Sequence, residues 1–121
     1  MRILLVDDDS FLRDMYATKF GEGGHTVEVA KNGEVALDLL RANTYDVVLL
    51  DIVMPGMSGL ELLKVMRGEK LGGEPKCIIL SNQGEQADID GATEAGTDGY
   101  IIKAEMIPSE VVAKVEAITA T

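Results

Sequence analysis

Polar side chains able to do chemistry stand at or just beyond the ends of four short apolar runs. Asp7, Asp8 and Asp9 follow ILLV, Asp51 follows VVLL, Ser81 and Asn82 follow CIIL, and Lys103 follows YII. Taken singly they are ordinary: Asp7 to Asp9 read as a helix N-cap plus solvated charge, and Asp51 as a turn opener. Taken together they are not, because three or more carboxylates converging on one end of a fold repel one another, raising their pKa values or demanding a cation. An oxygen-only set without His or Cys favours Mg²⁺ or Mn²⁺ over zinc, and leaves coordination positions for water and phosphate oxygens. A carboxylate nucleophile, a metal, a hydroxyl donor and a lysine are the parts of a phosphoryl-transfer site, where positioning and charge neutralisation supply most of the catalysis. Asp51, alone after its run, is the best nucleophile candidate.

The elements that must position these groups follow from periodicity. The candidate strands are residues 2–6, 26–30, 46–50, 76–80 and 99–102. Three of them are continuously apolar, the pattern of strands covered on both faces in a parallel sheet. Between them lie i, i+3, i+4 faces: Phe11, Leu12, Met15, Tyr16 and Phe20; Val35, Ala36, Leu39 and Leu40; Leu60, Leu63 and Met66. Gly21, Gly23 and Gly24 are expected to end the first helix, and Gly96 the fourth. Ser58 and Glu61 have capping-box spacing for the third, and Pro108 opens a fifth helix running to about Ala120. The pattern predicts an α/β domain of (βα)5 order spanning residues 1–121, with all the polar groups at the carboxyl rim where open parallel sheets bind ligands.

Composition narrows the function. With 11 Lys+Arg against 21 Asp+Glu, a net charge of -10 and 4% aromatic residues, the chain lacks the cationic footing and stacking platforms of nucleic-acid binders. Direct nucleic-acid binding is therefore not expected. A single cysteine, Cys77, excludes an internal disulfide and suits a reducing cytoplasm. No signal-peptide core and no run approaching 18 apolar residues is present, so membrane insertion is not expected.

The chain resembles, over essentially its whole length, the receiver domain of two-component response regulators. The matching segments are ILLVDD at 3–8, LLDIVMPGMSGLELL at 49–63, ILS at 79–81 and AGTDGYIIK at 95–103. The resemblance implies a flavodoxin-like, doubly wound sheet of five parallel strands in the order 2-1-3-4-5. It implies that Asp51 accepts phosphate from a histidine kinase, a phosphotransfer protein or a small phosphodonor. Asp8 and Asp51 would hold Mg²⁺ directly, Asp7 partly through water, with the main-chain carbonyl of Val53. Ser81 would give its hydroxyl and Asn82 its backbone N–H to phosphoryl oxygens. Lys103 would pair first with Asp51 and then with the phosphoryl group. Tyr100 matches an aromatic whose rotamer tracks the active state; an amphipathic ring capping the sheet edge is the plainer alternative. The domain would be a signalling switch rather than an enzyme, presenting its helix 4, strand 5 and helix 5 face to a downstream protein.

Three departures sharpen these expectations. Ala104 stands where receivers usually have a cis proline after the lysine; a non-proline cis bond costs about 2.5–4 kcal/mol, so a trans Lys103–Ala104 bond is expected. Val53 stands where many receivers carry a polar side chain that guides water, which predicts slow self-hydrolysis, tempered by Gln83 reaching in from the other side. Glu85, Asp88, Asp90, Glu94 and Asp98 fall in a stretch without basic residues. They read as a solvated face, or as one matched to a basic or polar partner.

Met54, Met57 and Met66 read as packing, Cys77 as a buried apolar residue, and His25 as remote from the rim. Two rivals remain open: a pseudo-receiver binding module, and a small haloacid-dehalogenase-type phosphatase using Asp7 as nucleophile. The second wants threonine where Phe11 stands and leaves the segment around Asp51 unexplained. The sequence ends with helix 5, as expected for either a stand-alone, chemotaxis-regulator-like receiver or a module of a larger chain.

Overall fold

The computed structural model describes residues 1–120. Strands β1 (Arg2–Val6), β2 (Thr26–Ala30), β3 (Val47–Leu50), β4 (Lys76–Ser81) and β5 (Gly99–Ile102) alternate with helices α1 (Ser10–Glu22), α2 (Gly33–Ala42), α3 (Gly59–Glu69), α4 (Gln86–Glu94) and α5 (Pro108–Thr119). All neighbouring strands pair in parallel, in the order β2-β1-β3-β4-β5. The fold is the flavodoxin-like one that the apolar runs and the resemblance imply. Short 3-10 turns at Leu71–Gly73 and Lys103–Glu105 are the additions.

The period of two within each strand divides the core into two layers. Ile3, Leu5, Val47, Leu49, Ile78, Leu80 and Ile101 pack with Tyr16 and Phe20 of α1 and Val111, Val112 and Val115 of α5. Leu4, Val6, Val48, Leu50, Cys77 and Ile79 face the other way, onto Ala36, Leu37 and Leu40 of α2 and Leu62, Leu63 and Met66 of α3. Burying one such Leu or Ile fully is worth roughly 1.5–3 kcal/mol. That is why the central strands need no polar face. β2 differs: as an edge strand it buries only Ala30 fully, and Glu28 turns out to meet Arg2 and the Tyr45 hydroxyl.

Three boundaries differ from expectation, and the simplest is that β4 runs one residue further, to Ser81. Gly21 lies within α1, because the helix is capped only at Gly23. β3 begins at Val47; Asp46 instead uses its carboxylate to accept the Arg2 N–H at 2.7 Å. Cys77 and Met66 are buried in the core, as is Met54, while Met57 is half-buried against it. Burial pushes the Cys77 thiol up to about 12, which keeps it unreactive.

Gly59, the first residue of α3, fixes how closely that helix approaches the end of β3. A Cβ placed on it would lie 2.0 Å from the main-chain oxygen of Asp51. Gly59→Ala should therefore cost at least about 1–3 kcal/mol, the range for overpacking. The check is urea denaturation, with a lowered midpoint at unchanged slope; an unshifted midpoint would contradict the close approach.

Candidate functional site

Strand register brings the first two carboxylates together. Val6 pairs with Leu50, so the residues that follow, Asp7 and Asp51, leave adjacent strands side by side. The ladder continues past both ends: the Asp51 N–H donates to the Val6 carbonyl and the Asp7 N–H to Ala30, each at 3.1 Å. By the same two-residue period Asp7, Asp51 and Lys103 share the parity of Leu5, Leu49 and Ile101. All three therefore start on the α1/α5 side of the sheet.

Lys103 joins them. Its Nζ donates to Asp7 Oδ2 at 2.7 Å and to Asp51 Oδ2 at 2.9 Å. Lys103 is 8% exposed and Asp7 1%. The remaining oxygens are also engaged: Asp7 Oδ1 accepts the Asp9 N–H at 3.0 Å, and Asp51 Oδ1 the Val53 N–H at 3.3 Å. Burial pushes the Asp7 carboxyl above the ordinary aspartate range, against the lowering pull of Lys103. Burial also works against the Lys103 charge, but its hydrogen bonds to Asp7 and Asp51 outweigh it and raise its pKa. We take the lysine as the fixed charge, because two carboxylates stabilise one ammonium. Its stabilising effect is complete below the ordinary lysine pKa and is lost only as pH climbs through the raised one.

Asp8 is exposed at the rim, and Asp7, Asp8 and Asp51 each offer an oxygen within 4.8 Å of the others. Such an all-carboxylate set, already carrying more negative charge than one lysine balances, fits a hard divalent cation. Asp9 does not join it. It caps α1, accepting the Leu12 N–H at 3.1 Å, as its plainer reading allows.

The triad opens into a cavity of about 240 Å³ lined by Asp8, Asp51, Val53, Ser81, Asn82 and Lys103, with Gln83 at its wall. Ser81 is buried and its Oγ accepts the Gln83 N–H at 3.2 Å. The Tyr100 hydroxyl donates to the Gln83 carbonyl, joining β5 to the loop after β4, while its ring packs on the α2–α4 layer. No cis peptide occurs among the described residues, so Lys103–Ala104 is trans as expected. A larger groove, about 600 Å³, opens between α1 and the start of α5, but it lacks the carboxylate triad and the buried lysine.

Sequence reasoning missed Arg13, whose Nη1 supports the acidic loop by donating to the Asp7 carbonyl at 3.0 Å. It also missed the Asp7–Lys103 contact. His25 is remote, bridging to Glu116 on α5.

The comparisons establish the family. The response regulator receiver domain model matches residues 3–116. The chain belongs to the response regulator receiver family. It is 35% identical over 117 residues to the transcriptional regulatory protein ResD of Bacillus subtilis, covering 97% of this chain and 47% of that protein. To the DNA-binding response regulator MtrA of Mycolicibacterium paratuberculosis it is 36% identical over 116 residues, covering 96% and 50%. The receiver thus spans about half the length of these relatives. Among solved structures, a Francisella response regulator receiver domain superposes with TM-score 0.87 at 32% identity, covering 98% of this chain and 96% of that one. TrrA of Thermotoga maritima, solved with Mg²⁺ and a beryllium fluoride, superposes with TM-score 0.84 at 34% identity, covering 97% of each. No helix among the described residues of this receiver is long and apolar enough to cross a membrane.

If the triad is the cation site, Mg²⁺ should raise the thermal midpoint, and by less in Asp8→Asn. Binding requires Asp7 ionised, and its pKa is raised. The gain should therefore fade, as pH falls, at a higher pH than an ordinary aspartate would dictate. A metal response untouched by Asp8→Asn would exclude the site.

Proposed function

We propose that this receiver takes a phosphoryl group on Asp51 from a histidine kinase, a phosphotransfer protein or a small phosphodonor. The observation that carries the reading is the convergence of Asp7, Asp8, Asp51 and Lys103 beside an open cavity. A carboxylate oxygen of Asp51 attacks phosphorus, the bond from phosphorus to the donor's nitrogen or oxygen breaks, and the donor leaves with that electron pair. Oδ1 is the better candidate for attack, being held only by the 3.3 Å contact to Val53 N–H. Asp8, Asp51 and the Val53 carbonyl would hold Mg²⁺, with Asp7 behind them. The ion would supply charge neutralisation between the carboxylates and the phosphoryl oxygens. Lys103 then exchanges its Asp51 contact for a phosphoryl oxygen, and Ser81 and the Asn82 N–H close on the others.

Asp7 is a poor nucleophile in this setting. It is buried, and both of its oxygens are held, by Lys103 and by the Asp9 N–H. This speaks against the phosphatase alternative.

Phosphorylation becomes a signal through Tyr100 and the loop after β4. Movement of Ser81 towards the phosphoryl group pulls on Gln83, whose carbonyl holds the Tyr100 hydroxyl. The population of the α4–β5–α5 face shifts with it, towards a form that a downstream protein prefers. The exposed side chains of Glu85, just before α4, and of Asp90 and Glu94 on it match a partner with a basic or polar patch. In a longer chain that partner can be a second domain of the same protein.

Incubation with acetyl phosphate and Mg²⁺ should add one phosphoryl group, seen as about 80 Da by intact mass. Asp51→Asn should abolish it; retained labelling, or label mapped to Asp7, would overturn the assignment. Val53 is 59% exposed at the cavity and its side chain cannot hold a water molecule. Val53→Asn should therefore hasten loss of the phosphoryl group several-fold in a time course of phosphoprotein decay. An unchanged decay rate would remove Val53 as the cause of slow hydrolysis.

A further inference from the structure

Ala104 has a main-chain N–H, and Asn82 Oδ1 accepts it at 3.0 Å. A proline at this position could not donate. The contact ties the loop that follows Ser81, the last residue of β4, to the turn after β5, which carries Lys103. It also settles the orientation of the Asn82 carboxamide. A backbone N–H only donates, so the oxygen must face Ala104 and the NH₂ group must face away. That NH₂ has no hydrogen-bond partner among the described residues.

Its location gives the free donor a use. Asn82 lines the phosphoacceptor cavity beside Asp51, Ser81 and Lys103. It also lines the adjoining cavity of about 270 Å³ formed with Leu12, Met15, Ala104 and Met106. Asn82 thus stands on the wall between the two. A phosphodonor entering the first cavity brings oxygens beyond the three of the phosphoryl group, which Ser81, Lys103, the Asn82 N–H and the proposed cation would take. From these observations we propose that the Asn82 side chain is a phosphodonor-binding group, its NH₂ donating to an oxygen of the incoming phosphoryl donor. Ala104 is its positioning residue, acting through the carboxamide oxygen.

This role is distinct from that of the Asn82 backbone N–H, and it rests on the reading of Asp51 as phosphoacceptor. The side chain contributes before transfer, while the donor is still whole. Its loss should therefore weaken donor binding more than it slows the bound complex. One charge-assisted hydrogen bond at an exposed position corresponds to about a five- to tenfold change.

The test follows phosphorylation of the full chain against acetyl phosphate concentration with saturating Mg²⁺, in wild type, Asn82→Ala, Asn82→Leu and Asn82→Asp. Hydrogen exchange of the Ala104 amide is followed by NMR in the resting proteins. The half-saturating donor concentration should rise about five- to tenfold in Asn82→Ala and Asn82→Leu, with the maximal rate within about twofold of wild type. Asn82→Asp keeps an oxygen for Ala104 but has no NH₂, so it should retain Ala104 protection and still lose donor affinity. Saturation at the wild-type concentration in either neutral variant, or in Asn82→Asp, would overturn the proposal. So would an Ala104 amide that exchanges equally fast in wild type and Asn82→Ala. Failure of wild type to accept phosphate on Asp51 would instead remove the underlying reading.

Discussion

One buried ammonium shared by two carboxylates holds the rim of this receiver together. Lys103 reaches from the end of β5 to Asp7 and Asp51, at the ends of β1 and β3, across the width of the central sheet. Taking three charged groups out of water is expensive, and the arrangement is tolerable because each oxygen of Asp7 and Asp51 has a donor. Removing the lysine would leave Asp7 at 1% exposure beside a second carboxylate. The cost of breaking such a buried pair is about 3–5 kcal/mol, reduced here because Asp7 can take up a proton instead. The net charge of the resting cluster remains negative. A rim in that condition is primed for a divalent cation and for any group that draws the lysine away.

The sheet supplies the precision. Parallel pairing of Val6 with Leu50 brings Asp7 beside Asp51, and a slip of one residue would turn one of them to the opposite face. Such a slip is opposed by the core itself, since Leu49 and Leu50 would exchange layers with it. Burial of the strands on both faces therefore secures the chemistry as well as the fold. Gly59 adds the second constraint. Its missing Cβ lets α3 start against the Asp51 carbonyl, which fixes where the segment between β3 and α3, with Val53 at the cavity wall, begins and ends.

What was legible in the sequence is what this register rests on. Continuous apolar runs announce strands buried on both faces, and the polar residue after each run must emerge at one rim. Asp7, Asp51, Ser81 and Lys103 were therefore placed without coordinates. The partners within the cluster were less accessible. That Lys103 contacts Asp7 as well as Asp51 depends on side-chain parity at the strand ends, which the alternation in β1, β3 and β5 contains but which the resemblance, naming only Asp51, passed over. Arg13 had no signal: an arginine in the second turn of an amphipathic helix looks like any solvated cation. Gly21 misled because glycine is a stop signal only where a left-handed residue is needed, and the chain reaches that conformation at Gly24.

The departure at Ala104 shows how one residue changes two loops at once. A proline after Lys103 would pin the backbone but offer no hydrogen; alanine gives up that restraint and gains a donor, which the Asn82 carboxamide takes up. Positional control passes from a ring in the β5–α5 loop to a hydrogen bond between that loop and the one after β4. The residues that bond couples are direct neighbours of Ser81 and Lys103, the two groups proposed to turn to a phosphoryl oxygen. Tyr100 reaches the same β4 loop from β5, through the Gln83 carbonyl one residue further on. Two ties therefore join the edge strand and the turn after it to the loop that follows Ser81. Displacement of Ser81 therefore either carries the end of β5 and the turn after it along or breaks these ties.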